Sequence, residues 1–333
     1  MSQVANERAA PSANKIEPEL TVIIPVYNEE AILSALFSRL YAAMDKLGRS
    51  YECLFIDDGS TDRSAAMLRE QFEKRQAQTR VVLLNGNFGQ HAAILAGFDY
   101  MHGRRAVTLD ADLQNPPEEI GKLLDTMDEG YDYVGTIRLK RQDHWWRQIA
   151  SRCINKLRES TTRIRMTDQG CMLRAYDHSI VQAIKRSQEI NTFIPALAYL
   201  YARNPTEIEV AHSERQAGES KYSLYKLLRI NFDLLTGFSL APLQIFSTVG
   251  MVIAMLSGIL VVILVLRRLF VGPEVEGVFT LFGIMFFFIG VVLFGIGMLG
   301  EYVGRIYQQV QNRPRYIVHA TLEDSSPNDE VKQ

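Results

Sequence analysis

Cysteine is scarce in this chain. Three occur in 333 residues (Cys53, Cys153 and Cys171), far apart, with no C-x-x-C pair and no paired histidines. That excludes a disulfide framework or a cysteine–histidine zinc site as the organising device and fits a reducing compartment. Excess charge is missing too. Lys and Arg number 36 against 38 Asp and Glu, a formal net charge of −2, so no basic field argues for nucleic acid as a partner. Tryptophan occurs only as the neighbouring pair Trp145 and Trp146. The first residues are rich in Ala, Ser, Asn and Pro and lack an apolar run, which predicts a disordered tail over 1–18 and no signal peptide.

Long apolar runs, by contrast, are present, but only late in the chain. Leu243 to Leu266 and Val278 to Gly300 are each uncharged. At ~1.5 Å per helical residue either is about 35 Å long, enough to cross a hydrocarbon core of about 30 Å. The link RRLFVGPEVEG between them predicts a helical hairpin with both flanks on one side. Lys226, Arg229, Arg305, Arg313 and Arg315 flank it, whereas Arg267 and Arg268 lie in the link. This bias favours a cytoplasmic N-terminal domain. Within the second run, Gly295, Gly297 and Gly300 match G-x-G-x-x-G, but no strand precedes them, so they read as helix-packing positions together with Gly304. Upstream, Tyr222 to Leu240 carries apolar residues at helical spacing with Lys226, Arg229 and Asp233 between. It reads either as a helix in the membrane interface or as an amphipathic helix packed on the domain. The predicted map is 1–18 tail, 19–221 catalytic domain, 222–242 interfacial helices, 243–300 transmembrane hairpin and 301–333 cytoplasmic tail.

The preceding half alternates short apolar runs with helical patterns. LTVIIPV (20–26), YECLFI (51–56), RVVLL (80–84), AVTLD (106–110) and YDYVGT (131–136) read as strands. Glu29–Lys46, Asp62–Lys74, Gln90–His102 and Pro116–Glu129 read as helices. The alternation predicts an α/β fold with a mostly parallel sheet, whose ligands bind beyond the carboxyl ends of the strands. Polar clusters fall at those ends: Asn28-Glu29-Glu30, Asp57 to Asp62, Asn85 to His91, and Asp110 to Asn115.

Asp110 and Asp112 stand two apart, and in an extended segment their side chains point the same way, toward one hard cation whose shell substrate phosphates complete. Taken alone, a D-x-D is more often a strand ending in a solvated acidic turn. Helix capping, with Asn115 as cap and Pro116 in the first turn, accounts for part of the polarity. It does not require the acids at 57–58, 110 and 112.

In this order, VIIPVYNEE, IDDGSTD and TLDADLQNPPE resemble the inverting family 2 glycosyltransferases, which have a type A, Rossmann-like fold. With NFGQHAAILAGF, DQGCMLRAY, TFIPALA, GESKYS and GEYVGRIY, nearly the whole chain is similar to the polyprenyl-phosphate glycosyltransferases that carry two C-terminal membrane helices. The resemblance implies that Pro25, Tyr27 and Glu29 line a uridine pocket and that Asp58 helps bind the base. Asp110, Asp112 and Gln114 would hold the ribose and a Mg2+ or Mn2+ bridging the diphosphate, with Arg215 and Lys221 as further cations for the nucleotide. Arg138, Arg147 and Ser151 would grip an acceptor phosphate; Arg147 and Ser151 are one helical turn apart, and the planar fork of an arginine suits a phosphate. Asp112 and Asp168 would be catalytic. A phosphate monoester has its second pKa near 6 and is already anionic at neutral pH, so Asp168 is either a base or a positioning group.

The implied reaction moves a sugar from a UDP donor to undecaprenyl phosphate at the bacterial inner membrane. The sugar would be 4-deoxy-4-formamido-L-arabinose, for lipid A modification, ahead of glucose or mannose. The implied partners are the UDP-sugar, the lipid acceptor, membrane lipid and further copies of the chain, for instance in a tetramer. A processive polysaccharide synthase would carry Q-x-x-R-W, which is absent. A non-catalytic scaffold would not need Asp110 and Asp112.

Overall fold

In the computed structural model, residues 17–138, 166–168, 170–187, 193–211, 241–270, 278–311 and 313–324 are described. Strands β1 (Leu20–Val26), β2 (Tyr51–Asp57), β3 (Thr79–Leu84) and β4 (Arg105–Thr108) alternate with helices α1 (Leu33–Lys46), α2 (Ser64–Lys74) and α3 (Gln90–Tyr100). After a 3-10 turn (Pro117–Glu119) come α4 (Ile120–Asp128), β5 (Tyr133–Arg138), β6 (Arg174–Asp177), α5 (His178–Arg186), α6 (Ile194–Tyr201) and β7 (Pro205–Val210). Two long helices follow, α7 (Ala241–Phe270) and α8 (Val278–Val310), and then β8 (Val318–Leu322).

The strands form one eight-stranded sheet in the order β7-β5-β6-β4-β1-β2-β3-β8. Strands β4, β1, β2 and β3 are mutually parallel, and β5 pairs parallel with β7. β6 runs antiparallel to both β4 and β5, and β8 antiparallel to β3. Period-2 alternation explains the layers. Val22, Ile24, Cys53 and Phe55 face one core with Leu36 and Leu40 of α1 and Leu123 of α4. Ile23, Leu54 and Ile56 face the other, with Ala93, Ile94 and Phe98 of α3 and Ile180 of α5.

These directions bring the carboxyl ends of β1 to β5 and β7, and the amino ends of β6 and β8, to a single edge. The switch in strand order between β1 and β4 lies on that edge, where ligands of open α/β sheets bind.

Several predicted boundaries shift for local reasons. α1 begins at Leu33 and not at Glu29, because the amides of Asn28, Glu29 and Glu30 are taken by side chains of the next loop. Asn115 is not a cap: the 3-10 turn starts after Pro116 without a side-chain cap, and the buried Asn115 accepts a hydrogen bond from the Cys171 thiol at 3.3 Å. The segment 301–333 is more than a tail. Its first part continues α8, and β8 joins the catalytic sheet, where Ile317 O accepts from Asn85 N at 2.8 Å and the Tyr316 hydroxyl donates to Asp99 at 2.5 Å.

Helices α7 and α8 pack through Phe246 and Phe294, 5.9 Å apart. A Cβ at Gly295 would fall 2.3 Å from the Phe246 ring, so the close approach is made there; among the described residues, a Cβ at Gly300 or Gly304 would meet nothing within 4 Å. Both helices present large apolar side chains outward, for example Met251 at 70% and Phe294 at 66% exposure. Water disfavours such surfaces. Among the described residues, Met285–Val310 is the one stretch long and apolar enough to span a membrane, with mean hydropathy 2.0; the apolar stretch in α7, Leu243–Ile253, is shorter.

Candidate active site

The ends of β1 and β2 are laced into one unit. Asn28, in the left-handed region at φ 55, accepts from the Thr61 amide at 2.8 Å. In return Ser60 accepts from the Asn28 amide, Ser64 from Glu29 and Asp62 from Glu30, while Glu30 accepts from Arg63. Tyr27 stands over this unit, 45% exposed, with Pro25 and Glu29 half-buried beside it.

Asp58 links this unit to the end of β3. Its two carboxylate oxygens accept the amides of Phe88 (2.8 Å) and Gly89 (2.9 Å). Both are used inside the protein, which gives Asp58 an organising job. Gly59 is required at the same place: it has φ +71, and a Cβ there would lie 2.5 Å from the Gly86 backbone. Asp57, to which the sequence had assigned no role of its own, is buried with Oδ1 unpartnered. Burial pushes the carboxyls of Asp57 and Asp58 above their usual range, against the pull of the hydrogen bonds each accepts.

At the end of β4 the strand stops at Thr108, two residues before the predicted end, and a turn follows at Ala111 and Asp112. The alternation nevertheless survives: Ala111 and Leu113 are buried in the core, while Asp110, Asp112 and Gln114 are half-buried. Leu113 holds this turn at φ 58, a costly conformation for a bulky residue that core burial enforces. Gln114 donates to both oxygens of Asp112, from its amide at 3.1 Å and its side chain at 2.7 Å. Asp110 accepts from the Gln90 side chain at 2.5 Å, so the first residue of α3 touches this turn. Among the described residues no group of three or more His, Cys, Asp and Glu could hold a metal without other donors.

Asp168 arrives from the opposite direction, on the approach to β6. It is buried, and its Oδ1 accepts the Gly170 amide at 2.9 Å. The segment is fixed by Arg174, itself fully buried, which donates to the carbonyls of Asp168 (2.6 Å) and Cys171 (2.7 Å) and to the Tyr133 hydroxyl. Glu207 accepts from the Thr167 amide, Thr108 Oγ1 donates to Met172 O and Thr136 Oγ1 to Leu173 O. Through Cys171 and Asn115 the D-Q-G-C segment is tied directly to the D-A-D-L-Q-N turn.

The structure therefore brings Pro25, Tyr27, Glu29, Asp58, Asp110, Asp112, Gln114 and Asp168 to one edge of the sheet. Arg138 ends β5 at the same edge. Arg147, Ser151, Arg215, Lys221, Trp145 and Trp146 lie outside the described residues, as does the amphipathic stretch 222–240. Gln90 and Arg174 also reach the site, although the sequence had given neither a role there.

The Glycosyl transferase family 2 pattern matches residues 21–185. Undecaprenyl-phosphate 4-deoxy-4-formamido-L-arabinose transferase of Edwardsiella ictaluri is 50% identical over 316 residues, 94% of this chain and 97% of that protein. The protein of that name from Serratia proteamaculans is 48% identical over 324 residues, 96% and 99% of the two chains. Among solved structures, glucosyl-3-phosphoglycerate synthase from Mycobacterium tuberculosis, in complex with Mn2+, UDP-glucose and phosphoglyceric acid, aligns at 15% identity and TM-score 0.47 over 67% of this chain and 79% of that one.

Proposed function

This chain belongs to glycosyl transferase family 2 and is a glycosyltransferase, and on that premise we propose that it transfers 4-deoxy-4-formamido-L-arabinose from a UDP donor to undecaprenyl phosphate, with inversion. The observation that carries the reading is identity near one half along almost the entire length of relatives of that name.

The exposed Tyr27 ring offers a face for the uracil. The unpartnered Asp57 Oδ1, on the β2 residue in register with Val26, is a buried acceptor suited to an imide N–H. Asp110, Asp112 and the Gln114 amide oxygen form a hard, all-oxygen donor set. It fits Mg2+ or Mn2+, which one or two carboxylates and substrate phosphates commonly hold. When bound, such an ion stabilises the negative charge that builds on the departing UDP. Asp110 and Asp112 would hold that ion beside the diphosphate, which as carboxylates they do not bind directly. The acceptor phosphate brings its own negative charge, so Asp168, locked in place by Arg174, serves to position the reacting groups. Arg138, Arg147 and Ser151 grip that phosphate, and Arg215 and Lys221 add positive charge near the nucleotide.

The fold supports a membrane-facing site. β7 ends, and β8 begins, at the site's edge, and these are the described segments nearest the hairpin in sequence on either side. We assign α7 and α8 as a two-span anchor in the inner membrane, with the catalytic edge on the cytoplasmic face and the chain as a homo-oligomer.

A donor screen tests the whole reading. Full-length protein in membranes, given undecaprenyl phosphate and a panel of UDP-sugars, is expected to yield the formamido-arabinosyl lipid by mass. Excess chelator should abolish product, and added Mn2+ should restore it. Product from UDP-glucose alone would overturn the sugar assignment, and transfer unchanged by chelator would overturn the metal.

The loop hold of Asp58 makes a second expectation. In Asp58→Asn one oxygen becomes a donor facing a backbone N–H, which costs the hold of Phe88 or Gly89 about 1–2 kcal/mol. Saturation curves should show the donor KM rising about tenfold, with kcat changed far less. An unchanged KM would mean that this loop is held by something else.

A further inference from the structure

The candidate is His91, the second residue of α3, which the reaction as described above does not use. One contact of its own and those of its neighbours locate it. Its neighbour Gln90 is bonded to Asp110, at the turn that would hold the ion beside the diphosphate. Its ring packs edge-on against Phe193, with centroids 5.3 Å apart. Phe193 in turn packs with Met166 and Ala196, and Met166 lies two residues before Asp168 with its sulfur 4.0 Å from the Arg174 guanidinium. His91 thus stands in a chain of contacts that runs from the Asp110 turn to the Arg174 and Asp168 segment.

The space between that turn and that segment is where the transferred sugar must lie. The bond being broken joins the sugar to the diphosphate, and the nucleophile reaches the same carbon from the far side in an in-line displacement. A side chain between Asp110 and Asp168 therefore meets the sugar and not the uridine.

The chemistry of His91 is that of a group awaiting a partner. Its Nδ1 is buried and makes no hydrogen bond in the protein, one of few buried side-chain atoms in that condition among the described residues. Buried polar atoms are nearly always satisfied, and an orphan at a site edge calls for a ligand. The ring carries no charge at neutral pH: burial pulls its pKa to about 4, and the nearby positive charge of Arg174 pulls in the same direction. A neutral imidazole offers one donor and one acceptor, which suits hydroxyls and amides rather than phosphate. The residue is held in register as well, since Asp58 fixes the Phe88 and Gly89 amides immediately before α3.

We propose that His91 is a specificity-determining residue that hydrogen-bonds through Nδ1 to a hydroxyl or the formamide of the transferred sugar. This rests on the functional reading above.

Binding of UDP and of UDP-4-deoxy-4-formamido-L-arabinose separates the possibilities, measured by titration in Mn2+ with wild type, His91→Phe and His91→Asn. Phenylalanine keeps the edge contact with Phe193 and removes the polar atom; asparagine keeps a short donor and acceptor. For His91→Phe the UDP-sugar should bind roughly tenfold more weakly, as expected for one lost hydrogen bond, with UDP within twofold of wild type. His91→Asn should recover part of the loss. UDP binding also reports whether the variant site is folded. Equal weakening of UDP and UDP-sugar, or no change in either, would overturn the proposal. If wild-type protein bound UDP but not this UDP-sugar, the sugar assignment would fail, and the UDP-sugar that it does bind becomes the probe for the same comparison.

Discussion

Asp112→Asn is expected to lower sugar transfer about a thousandfold while moving the melting temperature by no more than about 2 °C. The two halves of that expectation have separate causes. Asp112 is half-buried on a turn, and its hydrogen bonds are both accepted from Gln114, two residues away. An asparagine retains one acceptor oxygen for the Gln114 amide, and the substitution falls outside the short set of changes that destabilise severely. The chemistry is less forgiving. Removing one of two carboxylates halves the negative charge available to a divalent cation, and an amide oxygen is a much weaker ligand for Mg2+ or Mn2+ than a carboxylate. Stabilising charge on a leaving group is worth several kcal/mol, and loss of a single such contact in other enzymes costs about a hundred- to a thousandfold in rate. Radiolabel transfer at saturating donor, alongside a melting curve of the same preparation, gives both numbers. Turnover within tenfold of wild type would remove Asp112 from the machinery. Asp110→Asn should be as severe, with some loss of order in α3, because Gln90 bonds to that carboxylate.

How much of this was legible in the sequence depended on burial and on range. β1 to β3 are largely apolar runs covered on both faces, so their strand character stood out, and the polar residues at their ends marked the site. β6 did not stand out. It is four residues long and contains Arg174, which reads as a surface residue until the carbonyls that surround it are known. β8 is five residues long and pairs with β3 across more than two hundred residues, a partnership no local pattern encodes. The acid pair at 57–58 was noticed, but sequence spacing cannot tell which carboxylate is consumed by the Phe88 and Gly89 amides and which keeps an open oxygen. The Asp110–Asp112 argument assumed an extended backbone. The side chains alternate as assumed, yet they do so across a turn strained at Leu113.

Arg174→Met should be the most disruptive single change to the folded domain, lowering the melting temperature by roughly 6–12 °C. The guanidinium is wholly enclosed, and Nε and NH2 donate to the carbonyls of Cys171 and Asp168 while NH1 donates to Tyr133. Burying a charge is itself costly, and exchanging a whole buried ion pair for apolar residues is often neutral. That exemption does not apply here, because the acceptors are backbone carbonyls and stay in place when the arginine goes. Two stranded carbonyls at ~1–3 kcal/mol each put the loss at about 3 kcal/mol, and 1 kcal/mol moves the melting point of a domain of this size by about 2–4 °C. Arg174→Lys keeps the charge but has one donor head for carbonyls at two positions, so it should fall between methionine and wild type. Activity discriminates a positioning role from a purely structural one. Because Arg174 holds the Asp168 segment, turnover measured well below the melting point should fall more than a hundredfold in Arg174→Met, with UDP binding, which depends on the β1 and β2 ends, nearly unchanged. If turnover stayed near wild type at that temperature, Arg174 would be a stability residue, and contacts such as those of Glu207, Thr108, Thr136 and Asn115 would suffice to hold the Asp168 segment.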